Sequence, residues 1–280
     1  MSHRTERRHD EIIASVANPL IKYIRSLQRR KTRHLERAFV VEGFRAIDEA
    51  LNANVALQTI LIRDDIEPAR IDNRLHRFQI RFANTEAFRA ASDVDFPQGI
   101  LAIAPMPALD ELESWQGRTS LALIGDGIRD PGNLGTLLRS SSAAGADYVV
   151  MADESVDSFN PKVVRSAMGA HFQLPIYQAN ADRLNAILVG VDQVVVADAN
   201  GERDYDLVDF TKSTAVVIGG EAFGPLGALK HPNLVTVRIP LARNVESLNA
   251  GVAGSLLLFE VTRQRRSRDN RGEAANNAGE

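Results

Sequence analysis

The sequence predicts an α/β protein of two units, the second built on a parallel sheet, and three observations carry that expectation. Short apolar runs alternate with helical patterns along most of the chain. In the second half those runs are continuously apolar, as strands covered on both faces are. The rhythm breaks once, at Pro105-Met106-Pro107 and the polar stretch Asp110 to Arg118. The boundary therefore falls near Ala108, with a first unit at 1–107, a linker at 108–118, a second unit at 119–266 and a tail at 267–280.

In the first unit, strands are expected at Phe39 to Gly43, Gln58 to Asp64, Phe78 to Ala83 and Gly99 to Pro105, with a helix from Phe44 to Asn54 after the first. This describes a small α/β sandwich preceded by a basic N-terminal helix. In the second unit the strand candidates are Leu121 to Asp126, Tyr148 to Asp153, Leu174 to Gln178, Val194 to Ala199, Ala215 to Gly220 and Leu234 to Leu241. An apolar helix from about Leu248 closes it. The tail from Ser267 has almost no apolar content and is expected to be disordered. No repeat of solenoid type is present.

Composition narrows the chemistry. With 280 residues, 44% of them hydrophobic and 25% charged, the chain can bury two cores. It has no cysteine, which excludes disulfides, thiolate metal sites and cysteine nucleophiles. Its six histidines never adopt a ligand spacing such as H-x-x-x-H, so metal catalysis is not expected. The N-terminus is charged, without an apolar signal core, and no apolar run reaches bilayer length; a cytoplasmic protein without a membrane partner is expected. The net charge is −3, yet Met1 to Pro107 holds 17 Lys/Arg against 14 Asp/Glu. Its cations crowd toward the start, notably Arg25, Arg29, Arg30, Lys31, Arg33 and Arg37. That is the footprint of a phosphate-contacting surface, although solvated helix faces also carry such clusters.

Parallel sheets bind ligands beyond the carboxyl ends of their strands, and three loops there are unusual. Asp126 to Gly145 contains Asn133 and Arg139, less than two helical turns apart, with Gly132 and Gly135 permitting close backbone approach. A capped helix, with Asn133 near its N-cap, explains the same residues more plainly. Ile218 to Leu226 surrounds a single carboxylate, Glu221, with Gly219, Gly220 and Gly224; a tight turn accounts for two glycines but not for the carboxylate. Ile239 to Glu260 passes from strand through a polar loop into a helix that opens with Ser247, Leu248 and Asn249. Ser247 fits a simple N-cap equally well. Neither G-x-G-x-x-G after a strand nor G-x-x-x-x-G-K-[ST] occurs, which disfavours dinucleotide and triphosphate binding.

The ordered set N-x-G-x-x-x-R at Asn133 to Arg139, G-G-E-x-x-G at Gly219 to Gly224 and I-P-L…S-L-N at Ile239 to Asn249 resembles the three motifs of SpoU/TrmH-type RNA 2′-O-ribose methyltransferases of the SPOUT superfamily. The first unit resembles the L30e-like substrate-binding domain of many members, through N-P-x-x-K at Asn18 to Lys22, F-V-V-E-G at Phe39 to Gly43 and Q-G-I-L-A at Gln98 to Ala102. The resemblance implies a parallel sheet with a deep trefoil knot, a homodimer, and S-adenosylmethionine as methyl donor without a metal. It assigns donor contacts to Gly219, Gly220, Ile239 and Leu248, and catalysis and substrate positioning to Asn133, Arg139, Glu221, Ser247 and Asn249. On the charge distribution, RNA binding falls to Arg25, Arg29, Arg30, Lys31 and Arg33.

Those residue types suit methyl transfer to a ribose hydroxyl. Much of the acceleration can come from holding the reactants in line. A guanidinium has no acceptor, so Arg139 is expected to hold a neighbouring phosphate or a developing alkoxide, with the base left open between Ser247 and a water. Large-subunit ribosomal RNA is the first choice of substrate, by analogy with two-domain members. Transfer RNA, a non-catalytic ribosome-assembly factor on the same fold, and an ordinary metabolite enzyme are the competing readings.

Overall fold

The computed structural model describes residues 12–107, 112–152, 154–219, 229–243 and 245–277. The chain divides into two compact units, Met1–Pro107 and Ala108–Glu280.

The first unit is a five-stranded sheet between helices. In chain order its elements are β1 (Ile12–Ile13), α1 (Pro19–Ser26), α2 (Arg30–Glu36), β2 (Ala38–Glu42), α3 (Phe44–Asn52), β3 (Thr59–Arg63), β4 (Gln79–Ala83), α4 (Thr85–Ala91) and β5 (Ile100–Pro105). The strand order is β1-β4-β3-β5-β2. β5 runs antiparallel to both β2 and β3, whereas β1, β3 and β4 are mutually parallel. The two-residue β1 has no counterpart in the sequence pattern, being too short to show a period. Alternation along each strand separates the cores: Leu61, Leu101 and Ile103 pack with Ile21 and Ile24 of α1 and Phe88 of α4, while α3 covers the opposite face.

Arg33 departs from the expectation of a phosphate contact. It is only 1% exposed, and its Nη1 donates to the carbonyls of Leu27 and Gln28 at 2.8 and 2.7 Å. Those carbonyls lie at the end of α1, where a helix leaves acceptors without intrahelical donors, so this cation closes the α1–α2 corner. Arg25, Arg29, Arg30 and Lys31 are exposed.

The second unit is a seven-stranded, all-parallel sheet in the order β10-β12-β9-β11-β6-β7-β8. Its elements are β6 (Leu121–Asp126), α5 (Pro131–Ala143), β7 (Tyr148–Ala152), α6 (Pro161–Ala167), β8 (Ile176–Ala179), α7 (Ala181–Leu188), β9 (Gln193–Ala197), β10 (Arg203–Asp204), β11 (Thr214–Gly219), β12 (Leu234–Arg238) and α8 (Ala250–Asn277). β6 is central and buried throughout. One sheet face carries Leu121, Leu123, Val216 and Ile218 under α5, α6 and α8; the other carries Ala122, Ile124, Ala215 and Val217 under α7. The implied knot concerns the C-terminal part of this sheet, where 220–228 and 244 lie outside the described residues.

Two boundaries differ from expectation. Inside the supposed linker, Leu112–Trp115 forms a 3₁₀ turn, and the Trp115 ring stacks 5.5 Å from Tyr148 while its indole N–H donates to the Tyr177 hydroxyl. The end of that segment thus belongs to the second unit. The segment from Ser267, expected to be disordered, continues α8 as far as Asn277. Just before it, the Gln264 amide donates to Val208 O, and Arg265 donates to Phe210 O, Ser120 O and Lys212 O. A helix so anchored propagates readily through Arg, Glu and Ala despite their lack of apolar surface.

Candidate active site at the carboxyl edge of the parallel sheet

Strand register aligns the site loops. Gly219, the last residue of β11, stands opposite Asp126, the last of β6, and Val237 of β12 is level with Ala197 and Ile218. Strands β6, β11 and β12 therefore end at one edge of the sheet, with β9 between β11 and β12, and ligands of open α/β sheets bind at that edge. The loop after β6 is pinned from below: Ser155 Oγ donates to Gly125 O and accepts from Ile128 N, and Val156 N donates to Ile128 O at 2.8 Å.

That loop enters α5 through Asp130, whose carboxylate accepts from Asn133 N at 2.8 Å, with Pro131 at the first helical position. The cap is thus Asp130, with Asn133 close to it as the third helical residue, a reading available from the Asp-Pro pair. Freed from capping, the Asn133 side chain accepts from Asn249 Nδ2 through its Oδ1 at 2.7 Å. Asn249 in turn caps α8, its Oδ1 accepting from Val252 N at 3.2 Å. Ser247, expected as the alternative cap, lies exposed two residues earlier in the loop. The backbone N–H of Val252 fixes which end of the Asn249 amide is oxygen, and this forces its nitrogen toward Asn133.

Small residues make this meeting of α5 and α8 feasible. A Cβ on Gly251 would lie 3.1 Å from Thr136 Cβ, and one on Gly254 only 2.2 Å from Leu137 Cδ2. One turn further along, the Ser140 and Ser255 hydroxyls meet at 2.7 Å. α8 is thereby seated on α5 and β11, and its first residue is carried to the head of α5.

The structure therefore joins Asn133 and Asn249 directly. Arg139 is exposed on α5, beside Ser140. Gly219 is exposed at its strand end, and among the described residues a side chain there would meet nothing closer than 3.9 Å, at Asp126. Ile239, just past β12, and Leu248, just before Asn249, are half-buried apolar groups. Gly220 and Glu221 lie outside the described residues. Among the described residues no group of acidic or histidine side chains is placed to hold a metal, and no helix is long and apolar enough to cross a membrane.

Comparison with known proteins is specific at this point. Residues 120–259 match the model of the SpoU rRNA Methylase family, and residues 18–102 match that of the MRM3-like substrate binding domain. A Bacillus subtilis (strain 168) protein named 23S rRNA (guanosine(2553)-2'-O)-methyltransferase RlmP is 32% identical over 89% of this chain and 98% of its own length. The chain belongs to the SpoU rRNA methylase family. Another SpoU relative, the 23S rRNA (uridine(2479)-2'-O)-methyltransferase of Streptomyces viridochromogenes, is 31% identical over 85% of this chain and 87% of its own. The AdoMet-bound rRNA methyltransferase from Sinorhizobium meliloti superposes with a TM-score of 0.79 at 27% identity, covering 90% of this chain and 97% of that one.

Proposed function

We propose that this SpoU family member transfers a methyl group from S-adenosylmethionine to a ribose 2′-hydroxyl of large-subunit ribosomal RNA. The observation that carries the reading is the Asn133–Asn249 bond, which assembles two motif residues, 116 positions apart, at the carboxyl edge where the family holds its ligands. Similarity to relatives named for 23S rRNA supports the substrate.

The residues at that edge fit a bound nucleoside. Ile239 and Leu248 supply apolar surface, and Gly219 offers exposed backbone without a side chain in the way. When bound, S-adenosylmethionine supplies an electrophilic methyl on a sulfonium. The chain's own part is to place the ribose oxygen in line and to stabilise its charge as the hydroxyl proton leaves. With its oxygen already accepting from Asn249, the Asn133 carboxamide has both N–H groups to offer, and in this reading it serves as a donor to the ribose or its phosphate. Arg139, exposed on the same helix, supplies the positive charge for a phosphate beside the target ribose.

The working form in this reading is a homodimer. Val252, Leu256 and Phe259 lie at helical spacing on α8 and are 46%, 40% and 48% exposed, opposite the inner stripe of Leu257, Leu258 and Val261. Such a stripe on a soluble helix suits a second copy. Leu256→Asp should yield a monomer by light scattering; an unchanged mass would refute that face.

Labelled S-adenosylmethionine and ribosomal RNA from a strain lacking the protein test the reaction. Label in one large-subunit nucleotide, with the bond on its 3′ side resistant to alkali, is the expected result. Arg139→Ala should lose turnover and keep donor binding. No transfer to free RNA or to precursor particles would overturn the reading.

A further inference from the structure

A second ligand-facing feature lies wholly in the first unit. Phe96 is 84% exposed, the most exposed large hydrophobic side chain among the described residues. It stands on a short loop that is tied down rather than loose. At its start Ser92 Oγ donates to Glu42 Oε1 at 2.6 Å and accepts from Val94 N at 3.1 Å. At its end Pro97 is buried, and its carbonyl accepts from Arg63 Nη1 at 3.4 Å. Gln98 Oε1 accepts from Phe44 N at 3.3 Å, and Gly99 O accepts from Arg63 N at 2.8 Å. Proline after Phe96 restricts its backbone to extended geometry, and the phenyl remains in water at a cost in unburied apolar surface.

Its surroundings name the ligand. β2, β3 and β4 end on this edge of the sheet and β5 begins there. Arg70 lies over the Phe44 ring with its guanidinium 4.4 Å from the ring centroid. Gln28, at the α1–α2 corner, reaches Ser92 O with its amide at 3.4 Å, which brings the exposed Arg29 and Arg30 to the same edge as the loop. Cations, an exposed aromatic and a guanidinium on a ring are the components by which proteins hold unpaired nucleotides. Asp93 and Asp95 both precede Phe96 in the loop, and Asp65 is paired with Arg63 at 2.6 Å. Carboxylates at the loop tip would repel a phosphate backbone, whereas the exposed Arg29 and Arg30 would attract it.

We propose that this edge of the first unit is a site for unpaired RNA, in which a nucleobase stacks on Phe96 while the adjoining phosphates lie along the α1–α2 corner. The inference rests on the RNA-methyltransferase reading and adds to it the place and chemical class of the nucleotides that the first unit holds.

Fluorescence anisotropy of the full-length protein with a fluorescein-labelled single-stranded oligoadenylate dodecamer tests it. Phe96→Ala should raise Kd about tenfold, and Phe96→Leu should weaken binding comparably, because stacking needs a flat ring. Phe96→Trp should bind at least as well as the parent. The slope of log K against log[salt] should stay unchanged in all three, since no phosphate contact is removed. Phe96→Ala binding within about twofold of the parent would overturn the proposal. So would full binding by Phe96→Leu, which would mark an apolar surface for a protein partner, or a parent that methylates ribosomal RNA without binding the dodecamer. A parent that neither binds RNA nor transfers methyl would overturn the methyltransferase reading as well.

Discussion

Replacing Asn249 with aspartate separates its two tasks. Aspartate caps a helix as well as asparagine does, so the acceptor for Val252 N survives and α8 keeps its start. What is lost is the NH₂ that donates to Asn133 Oδ1 at 2.7 Å. Two oxygens would then face each other, and the Asn133 amide would turn to offer its own nitrogen inward, presenting oxygen to the substrate where the parent presents a donor. The turned amide re-forms the contact with position 249, so the loss is of one donor to the ribose or its phosphate, about 0.5–1.5 kcal/mol or roughly two- to tenfold, and an oxygen set against that acceptor adds to it. We therefore expect kcat for methyl transfer to drop by about tenfold or more, with donor Kd changed by less than about threefold and the melting temperature nearly unaltered. Asn133→Ala should remove most of the same catalysis, and the double variant should be little worse than either single one, because both act through one contact. Undiminished kcat in Asn249→Asp, or fully additive losses in the double variant, would refute the argument.

Further outcomes follow from charge and burial. Neutralising Arg29, Arg30 and Lys31 together should weaken RNA binding and flatten its salt dependence, with stability within about 0.5 kcal/mol of the parent. Arg33→Ala should do the reverse, because it strips donors from Leu27 O and Gln28 O inside the fold; urea unfolding should show a loss of roughly 1–3 kcal/mol with an unchanged salt slope for RNA. His171 is buried beside Phe159 with Nε2–H donating to Ser158 O at 2.7 Å, and desolvation holds its pKa down to about 4. Its folded value lies below the unfolded one, so the unfolded chain binds the extra proton between about pH 6.5 and 4 and stability falls as pH drops through that window. Between pH 7 and 5 this group costs about 2 kcal/mol. His171→Gln should lose correspondingly less stability over that interval, and equal acid sensitivity of the two proteins would contradict the assignment.

The parts of the fold that were legible in the sequence are those in which one physical signal dominates. Strands β6, β9 and β11 are buried on both faces, so their continuous apolar runs mark them within a residue or two. β1 escaped because two residues carry no period, and the helical tail escaped because composition reports apolar content, whereas α8 is extended by anchors supplied from Val208, Phe210 and Lys212. Arg33 is hidden among its neighbours for a related reason. A run of cations looks uniform in sequence, yet the corner between α1 and α2 turns one member inward to meet two carbonyls and leaves its neighbours in water.

The candidate site divides along the same line. Motif spacing supplied Asn133 and Asn249, but not the direction in which either amide points, because that depends on a third party, the N–H of Val252 that becomes available only when α8 begins at Ala250. Asp130 carried a signal that could have been used: an aspartate before a proline at a helix start commits its carboxylate to the helix, which leaves the following asparagine for chemistry. The distinction decides mechanism. Had Asn133 been the cap, its oxygen would have been consumed within α5 and Asn249 would have had no acceptor there. With Asp130 as cap, the two asparagines link the head of α8 to the head of α5, so a disturbance of the α8 start reaches the Asn133 amide, the group that faces the substrate in the proposed mechanism. Phe96 makes the complementary point, since no motif spacing singles out one phenylalanine in a polar loop, and only its exposure beside a buried proline gives it a role.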